Sequence, residues 1–313
     1  MDKGTVLVRD DGTVRAPWRI AFFLAASIVA GMAMATVVYP LLSLTPLVAL
    51  AREWRLPLDQ VGTVAALLLG TWAALHVMDG KREHRWASVG LNRPALRWRA
   101  IVVGLAAGTL AILVPSLLLL AAGSFRLAPQ AAGTGWLDAS RIALLVLAPS
   151  AFAEELAMRG YVFTVLRDAV RVPGAIAVTS IAFALLHVFN PDPTVLSIAV
   201  VALAGVFLAV VRVVTNSVYA VVIAHLGWNF VQAAVLHAPV SGLALPTPVY
   251  RLVDAGPAWL TGGAWGPEGG LAAAAGMLVA TFLVSRHWST RTSGPGSGRP
   301  DGRPNTRGDG MHD

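Results

Sequence analysis

The stretch IALLVLAPSAFAEELAMRGYVFTVL, residues 142–166, decides the fold class of this chain. Its apolar length exceeds the roughly 20 residues that a helix needs to cross a bilayer. Three ionisable side chains, Glu154, Glu155 and Arg159, interrupt it near the middle. A charge at the centre of a membrane costs about 2.5–3.5 kcal/mol on insertion scales. The stretch therefore predicts a transmembrane helix that carries a functional polar site.

The composition of the whole chain indicates a membrane protein. The 313 residues are 56% hydrophobic and 13% charged, and the mean hydropathy is +0.66. A soluble domain usually carries about 25% charged residues. The net charge of +7 fits basic cytoplasmic loops facing anionic lipid, so we expect no nucleic-acid partner. The chain has no cysteine, which excludes disulfides and thiolate-metal sites.

Apolar periodicity predicts an all-α, polytopic helical bundle of about eight spans. The expected spans lie near 18–40, 60–78, 100–122, 142–166, 174–190, 194–214, 216–236 and 270–285. The first follows Lys3, Arg9 and Arg15, but it is too long for a cleavable signal core, so we expect it to be retained. Residues 41–51 are expected to be interfacial or re-entrant, and residues 237–269 form a Gly- and Pro-rich connection.

These spans suggest three regions and one orientation. Residues 1–99 hold the N-terminal spans and a basic lead-in, 100–288 a helical core that contains Glu154 and Glu155, and 289–313 a tail expected to be disordered and cytoplasmic. With the N-terminus inside, 18 of the 24 Lys and Arg residues fall on the inner side. The positive-inside rule therefore predicts two cytoplasmic termini in a multi-pass protein of the plasma or inner membrane.

Helix geometry separates the roles of the two central glutamates. Glu155 and Arg159 stand at i and i+4, with the glutamate N-terminal, which is the favoured order for an ion pair. Glu154 lies about 100° around the helix from Glu155, and Met158 occupies its own i+4 position. Arg159 is thus expected to neutralise Glu155, which leaves Glu154 to face another partner.

Two later spans carry the polar side chains that could meet Glu154. FALLH places Phe183 and His187 at i and i+4, and HLGWN does the same for His225 and Asn229. A carboxylate can take a proton from water while His or Asn side chains assist and stabilise an oxyanion. Each side chain alone could instead be a packing residue or interhelical glue, and His76 and His237, near span ends, are expected to be interfacial.

The three motifs together resemble a known family. EELAMR fits EExxxR, FALLH fits FxxxH and HLGWN fits HxxxN, in that order and on successive apolar spans. This resembles the CPBP family of intramembrane proteases, which includes CAAX prenyl endopeptidases and Abi-type proteins, over roughly residues 140–236. WASVGLNRP, residues 86–94, is similar to the amphipathic lead-in of many members.

The resemblance implies an endopeptidase in which Glu154 activates water, His187 assists, and His225 with Asn229 binds the oxyanion. Glu155, Arg159 and Phe183 would support them. The partners would be membrane lipid and a membrane-anchored peptide or protein. The family's prenylated CAAX-type substrates are one such class, and the Ala-, Val- and Arg-rich composition, which is typical of bacterial proteins, argues against them. A non-catalytic scaffold or bacteriocin-immunity protein that binds a partner through the same cavity is the alternative, and a proton-relay transporter is a third.

Metal dependence is open at this level. Glu154, His187 and His225 could form the three-ligand site of a catalytic Zn²⁺. The sequence has no HExxH, and its histidines lie on separate helices. A Glu154 that bound zinc would also leave no unpaired carboxylate to act as base. We therefore expect a glutamate mechanism without a cofactor.

Overall fold

The computed structural model describes residues 6–9, 12–53, 57–79, 85–130, 135–246 and 249–292. Within these ranges the chain is a helical bundle, as predicted. The helices in chain order are α1 (Ala16–Ala33), α2 (Tyr39–Ser43), α3 (Pro46–Glu53), α4 (Leu58–Val77), α5 (Arg85–Ser88), α6 (Trp98–Ala121), α7 (Trp136–Glu155), α8 (Val162–Leu186), α9 (Val195–Thr215), α10 (Val218–Phe230), α11 (Ala258–Thr261) and α12 (Leu271–Thr292).

Several of these helices join into longer runs through π-helical turns. Met34–Val38 links α1 to α2, Leu156–Tyr161 links α7 to α8, and Val231–Leu236 extends α10. Among the residues that the structure describes, six helical runs are long and apolar enough to cross a membrane, and Leu271–Arg286 is a shorter apolar helix. The protein is therefore a multi-pass membrane protein.

The run Trp136–Phe189 is too long to be one crossing. Its 54 residues would measure about 80 Å as a straight helix, against a hydrocarbon core of about 30 Å. The backbone leaves helical geometry at Val170 and Arg171, where Arg171 has φ 64°. This break separates the predicted spans four and five. Each of the eight predicted spans coincides with a helical segment, and the number of crossings stays a prediction.

The structure adds detail to three segments. Residues 41–51 include parts of two short helices, α2 and α3, and their interfacial or re-entrant placement stays a prediction. The tail was expected to begin at Ser289, but α12 continues to Thr292, and the remaining tail lies outside the described residues. The Gly- and Pro-rich connection contains strand β2 (Tyr250–Asp254), which pairs antiparallel with β1 (Phe125–Pro129).

Glycines set the distance between α6 and α10. A Cβ on Gly104 would lie 2.2 Å from the carbonyl oxygen of Ala220, and one on Gly108 would lie 1.9 Å from that of Ala224. Only hydrogen fits at these two points, so the helix backbones are in direct contact, as small residues permit in membrane bundles. This contact fixes the position of α10 immediately before His225.

The predicted lead-in packs against the start of α10. Gly90 accepts a hydrogen bond from the Val218 amide at 3.0 Å, Leu91 accepts one from the Tyr219 hydroxyl at 2.9 Å, and Ala95 accepts one from the Ser217 hydroxyl at 2.7 Å. The buried Arg212 donates from Nη2 to the carbonyl of Ser88 at 3.3 Å. Residues 85–97 therefore pack directly against the start of α10, while the boundary at residue 100 stays a prediction.

Candidate active site

Glu155 and Arg159 form a fully buried ion pair at the junction of α7 and the π-helical turn. Arg159 Nη1 lies 3.1 Å from Glu155 Oε2, and both side chains are 0% exposed. Arg159 also donates from Nη2 to the carbonyl oxygen of Gly205 at 3.0 Å, and its guanidinium carbon lies 4.5 Å from the centre of the Phe183 ring. The helical i, i+4 spacing thus produces the pair that the sequence predicted.

Glu154 has a different environment. Its side chain is 32% exposed, and its Oε1 accepts a hydrogen bond from the Ser150 hydroxyl at 3.0 Å. Its Oε2 is buried but has no hydrogen-bond partner in the described part of the chain. Glu155 Oε2 likewise accepts no hydrogen bond in the described part of the chain, but it lies 3.1 Å from Arg159 Nη1. Glu154 is therefore the glutamate whose free oxygen has no arginine beside it.

His225 lies between the two carboxylates. Its Nδ1 is 2.9 Å from Glu155 Oε1, and its Nε2 is 4.0 Å from Glu154 Oε2. Because a carboxylate accepts, Nδ1 carries the proton of this hydrogen bond. A neutral His225 then has a lone pair on Nε2, and it can donate from Nε2 only when both nitrogens are protonated.

Phe183 and His187 lie at the end of α8 on the other side of His225. His187 Nδ1 donates to the carbonyl oxygen of Phe183 at 2.8 Å, which leaves Nε2 for another partner. The centre of the Phe183 ring lies 4.7 Å from that of His187 and 6.0 Å from that of His225. Phe183 thus contacts both histidines and Arg159.

A small cavity connects the later motifs. Its volume is about 30 Å³, and His187, His225 and Asn229 all line it. That space is enough for a water molecule with polar partners. The structure brings these three predicted residues together, and His225 connects them to the carboxylate pair.

Sequence reasoning missed three polar residues of this region. Ser150 binds Glu154, while Glu268 and Ser241 line the cavity. Ser150 stands four residues before Glu154, so helical spacing could have revealed it. Glu268 lies in the Gly- and Pro-rich connection, and its partners are 27 to 40 residues away in sequence. No local spacing identifies such contacts.

The structure adds a packing contact to a neighbouring histidine. His237 is only 3% exposed, and its ring packs edge-on against Tyr250 of β2, with 4.6 Å between ring centres. Its position at the membrane interface stays a prediction. No pattern in the sequence indicates strand β2.

The candidate zinc ligands are not grouped closely. In the described residues, no three His, Cys, Asp or Glu side chains are grouped so that they could hold a metal ion. His225 Nδ1 is engaged by Glu155, and His225 Nε2 lies 4.0 Å from Glu154 Oε2. A mechanism without a cofactor stays a prediction.

The comparisons with known proteins identify the same segment. Residues 136–231 match the family described as type II CAAX prenyl endopeptidase, Rce1-like. The resemblance to the CAAX endopeptidases is confirmed. The matched residues include all three motifs and make up about a third of the chain. No curated protein and no solved structure matches the chain.

Proposed function

We propose that this protein is an intramembrane endopeptidase that cleaves a membrane-anchored peptide or protein, with Glu154 as the general base. The observation that supports this proposal is the contrast between the two glutamates. Glu155 lies 3.1 Å from Arg159 Nη1 and 2.9 Å from His225 Nδ1, whereas Glu154 Oε2 accepts no hydrogen bond in the described part of the chain and lies 4.0 Å from His225 Nε2. The match to a peptidase family supports the reaction class.

In the proposed reaction, Glu154 takes a proton from a water molecule as the water oxygen attacks the scissile carbonyl carbon. The negative charge that develops on the carbonyl oxygen is stabilised by the Asn229 amide and by His225. The proton held by Glu154 passes to the leaving nitrogen as the C–N bond breaks, and His187 assists this transfer through Nε2. The products are a carboxylic acid and an amine, so atoms and charges balance.

The contacts of His225 refine its proposed role. Since Nδ1 donates to Glu155, His225 can donate to an oxyanion only as an imidazolium. Glu154 and Glu155 lie on either side of the ring and can balance that positive charge. The proposal therefore requires a doubly protonated His225 in the active form.

The decisive experiment compares Glu154→Gln with the wild-type protein and with Ser150→Ala, in lipid nanodiscs, on membrane-tethered fluorogenic peptides. Loss of a general base lowers kcat by about 10²- to 10⁴-fold, whereas Ser150→Ala keeps the carboxylate and should have a much smaller effect. Near-normal turnover of Glu154→Gln at an unchanged melting temperature would exclude Glu154 as the base. A wild-type protein that binds these peptides but cleaves none would favour the scaffold alternative.

Two further arms of this assay address substrate and metal. Prenylated and unprenylated versions of one peptide test whether the lipid is part of recognition. Elemental analysis of the active protein, followed by chelation and dialysis, tests metal dependence. We propose that activity survives chelation. One zinc per chain, with activity lost on removal and restored on addition, would reverse that part of the proposal.

A further inference from the structure

Glu268 is a buried carboxylate in the short turn Pro267–Gly269, which precedes α12. The residue is 7% exposed. Its Oε2 accepts hydrogen bonds from Trp228 Nε1 at 2.6 Å and from Gln232 Nε2 at 2.9 Å. Its Oε1 accepts one from the Ser241 hydroxyl at 2.5 Å. The Glu268 amide also donates to Gln232 Oε1 at 3.3 Å.

The partners of Glu268 occupy the catalytic face of α10 and its extension. Trp228 directly precedes Asn229, and Gln232 follows it by three residues. His225, Trp228, Asn229 and Gln232 follow the i, i+3, i+4, i+7 pattern of a single helix face. Glu268 therefore links the Gly- and Pro-rich connection, residues 237–269, to the face that carries His225 and Asn229.

The hydrogen bonds of Glu268 indicate a structural role. Both of its side-chain oxygens accept hydrogen bonds from neutral donors, so both are occupied. No ion pair to Glu268 occurs in the described ranges. Glu268 nevertheless lines the same cavity as His187, His225 and Asn229.

We propose that Glu268 is a positioning residue for the peptidase reaction: through Trp228 and Gln232 it fixes the part of α10 that presents Asn229 and His225 to the cavity. This inference rests on the proposed function and adds a residue that lies outside the family match at residues 136–231.

Two substitutions at residue 268 separate positioning from charge. Glu268→Ala removes all side-chain hydrogen bonds and should lower kcat by about 10- to 100-fold, the usual cost of losing a supporting partner, with KM changed by less than about threefold. Glu268→Gln should recover most of kcat. Its amide oxygen can accept from Trp228 and Gln232, and its amide nitrogen can donate to the Ser241 oxygen.

Asp254 provides a matched control in the same connection. Its carboxylate accepts from the Gly256 amide at 3.0 Å, the Thr261 hydroxyl at 2.6 Å and the Gly263 amide at 3.1 Å. It does not line the cavity. Asp254→Ala therefore disturbs the connection without touching α10, and its kcat should stay within about threefold of wild type.

The outcomes are distinct. The wild-type protein must first cleave the peptide, and Glu154→Gln must lose that activity. If either result fails, the proposed function is refuted, and the role of Glu268 is not what has failed. Given that activity, an equal loss of kcat in Glu268→Gln and Glu268→Ala would show that the charge of Glu268 acts, and not its hydrogen bonds. A loss of kcat in Asp254→Ala as large as that in Glu268→Ala would show that the effect comes from misfolding of the connection. Wild-type kcat in Glu268→Ala would also overturn the inference.

A second variant serves if Glu268→Ala does not fold. Trp228→Phe removes a single hydrogen-bond donor to Glu268 and should lower kcat by about 3- to 10-fold, about the size of one lost hydrogen bond. An unchanged kcat in Trp228→Phe would count against the positioning role.

Discussion

Replacing Glu155 by alanine should destabilise the protein far more than replacing Glu154. Glu155→Ala removes the anion from a pair in which both side chains are 0% exposed and leaves the guanidinium of Arg159 buried. Its remaining partners are the carbonyl oxygen of Gly205 and the Phe183 ring. Breaking a buried pair from one side costs about 3–5 kcal/mol. The side chain of Glu154, by contrast, is 32% exposed and accepts one hydrogen bond, from Ser150, which is worth about 1 kcal/mol.

Thermal unfolding in a mild detergent measures this difference. At roughly 2–4 °C per kcal/mol for a domain of this size class, Glu155→Ala should melt about 6–20 °C below the wild type, and Glu154→Ala only a few degrees below it. The double variant Glu155→Ala/Arg159→Met, which removes both charges, should recover much of the loss. Equal melting temperatures for the two single variants would refute the assignment of Arg159 to Glu155.

Three other predictions concern packing, pH and topology. Gly108→Val should lower the free energy of unfolding by about 1–3 kcal/mol through overpacking, and it should lower activity, because its Cβ would meet the Ala224 carbonyl oxygen. The melting temperature and the turnover rate test this. Gly135→Ala is the control, since a Cβ there meets no described atom within 4 Å. Burial lowers the pKa of His237. The stability that the neutral ring provides is therefore present above pH about 6.5 and is lost as the pH falls below it. Between pH 7.5 and 5, the melting temperature of His237→Phe should fall less than that of the wild type. Reporter fusions after residues 90 and 170 and at the C-terminus should read cytoplasmic, and one near residue 250 external; an external C-terminus would contradict eight spans.

The sequence was sufficient for the features that depend on local spacing. Apolar length located the helices, because a membrane span must satisfy its backbone hydrogen bonds internally. The i, i+4 relation between Glu155 and Arg159 gave their contact, because a helix brings those positions onto one face. The catalytic assignments of Glu154, His187, His225 and Asn229 remain predictions, although the structure places the four residues around one region.

Features that depend on distant contacts could not be predicted. Strand β1 pairs with β2 more than 120 residues later in the chain, and neither segment shows a clear alternating pattern. The hydrogen bond from His225 to Glu155 spans 70 residues, so the sequence could place His225 near a carboxylate without showing which one. Glu268 was overlooked for the same reason, since its contacts depend on how the connection folds back onto α10.

The hydrogen bonds between residues 85–97 and the start of α10 have a consequence for how the protein is made. The pairs Leu91–Tyr219, Ala95–Ser217 and Arg97–Thr215 join residues that are 118 to 128 positions apart. During synthesis the earlier partner of each pair leaves the ribosome long before the later one, so these hydrogen bonds can form only after α9 and α10 have been made. Helix α10, which carries His225, then packs against residues 85–97, and His225 reaches Glu155 only at that stage. Under the proposed function, the site would therefore be incomplete until α10 is in place.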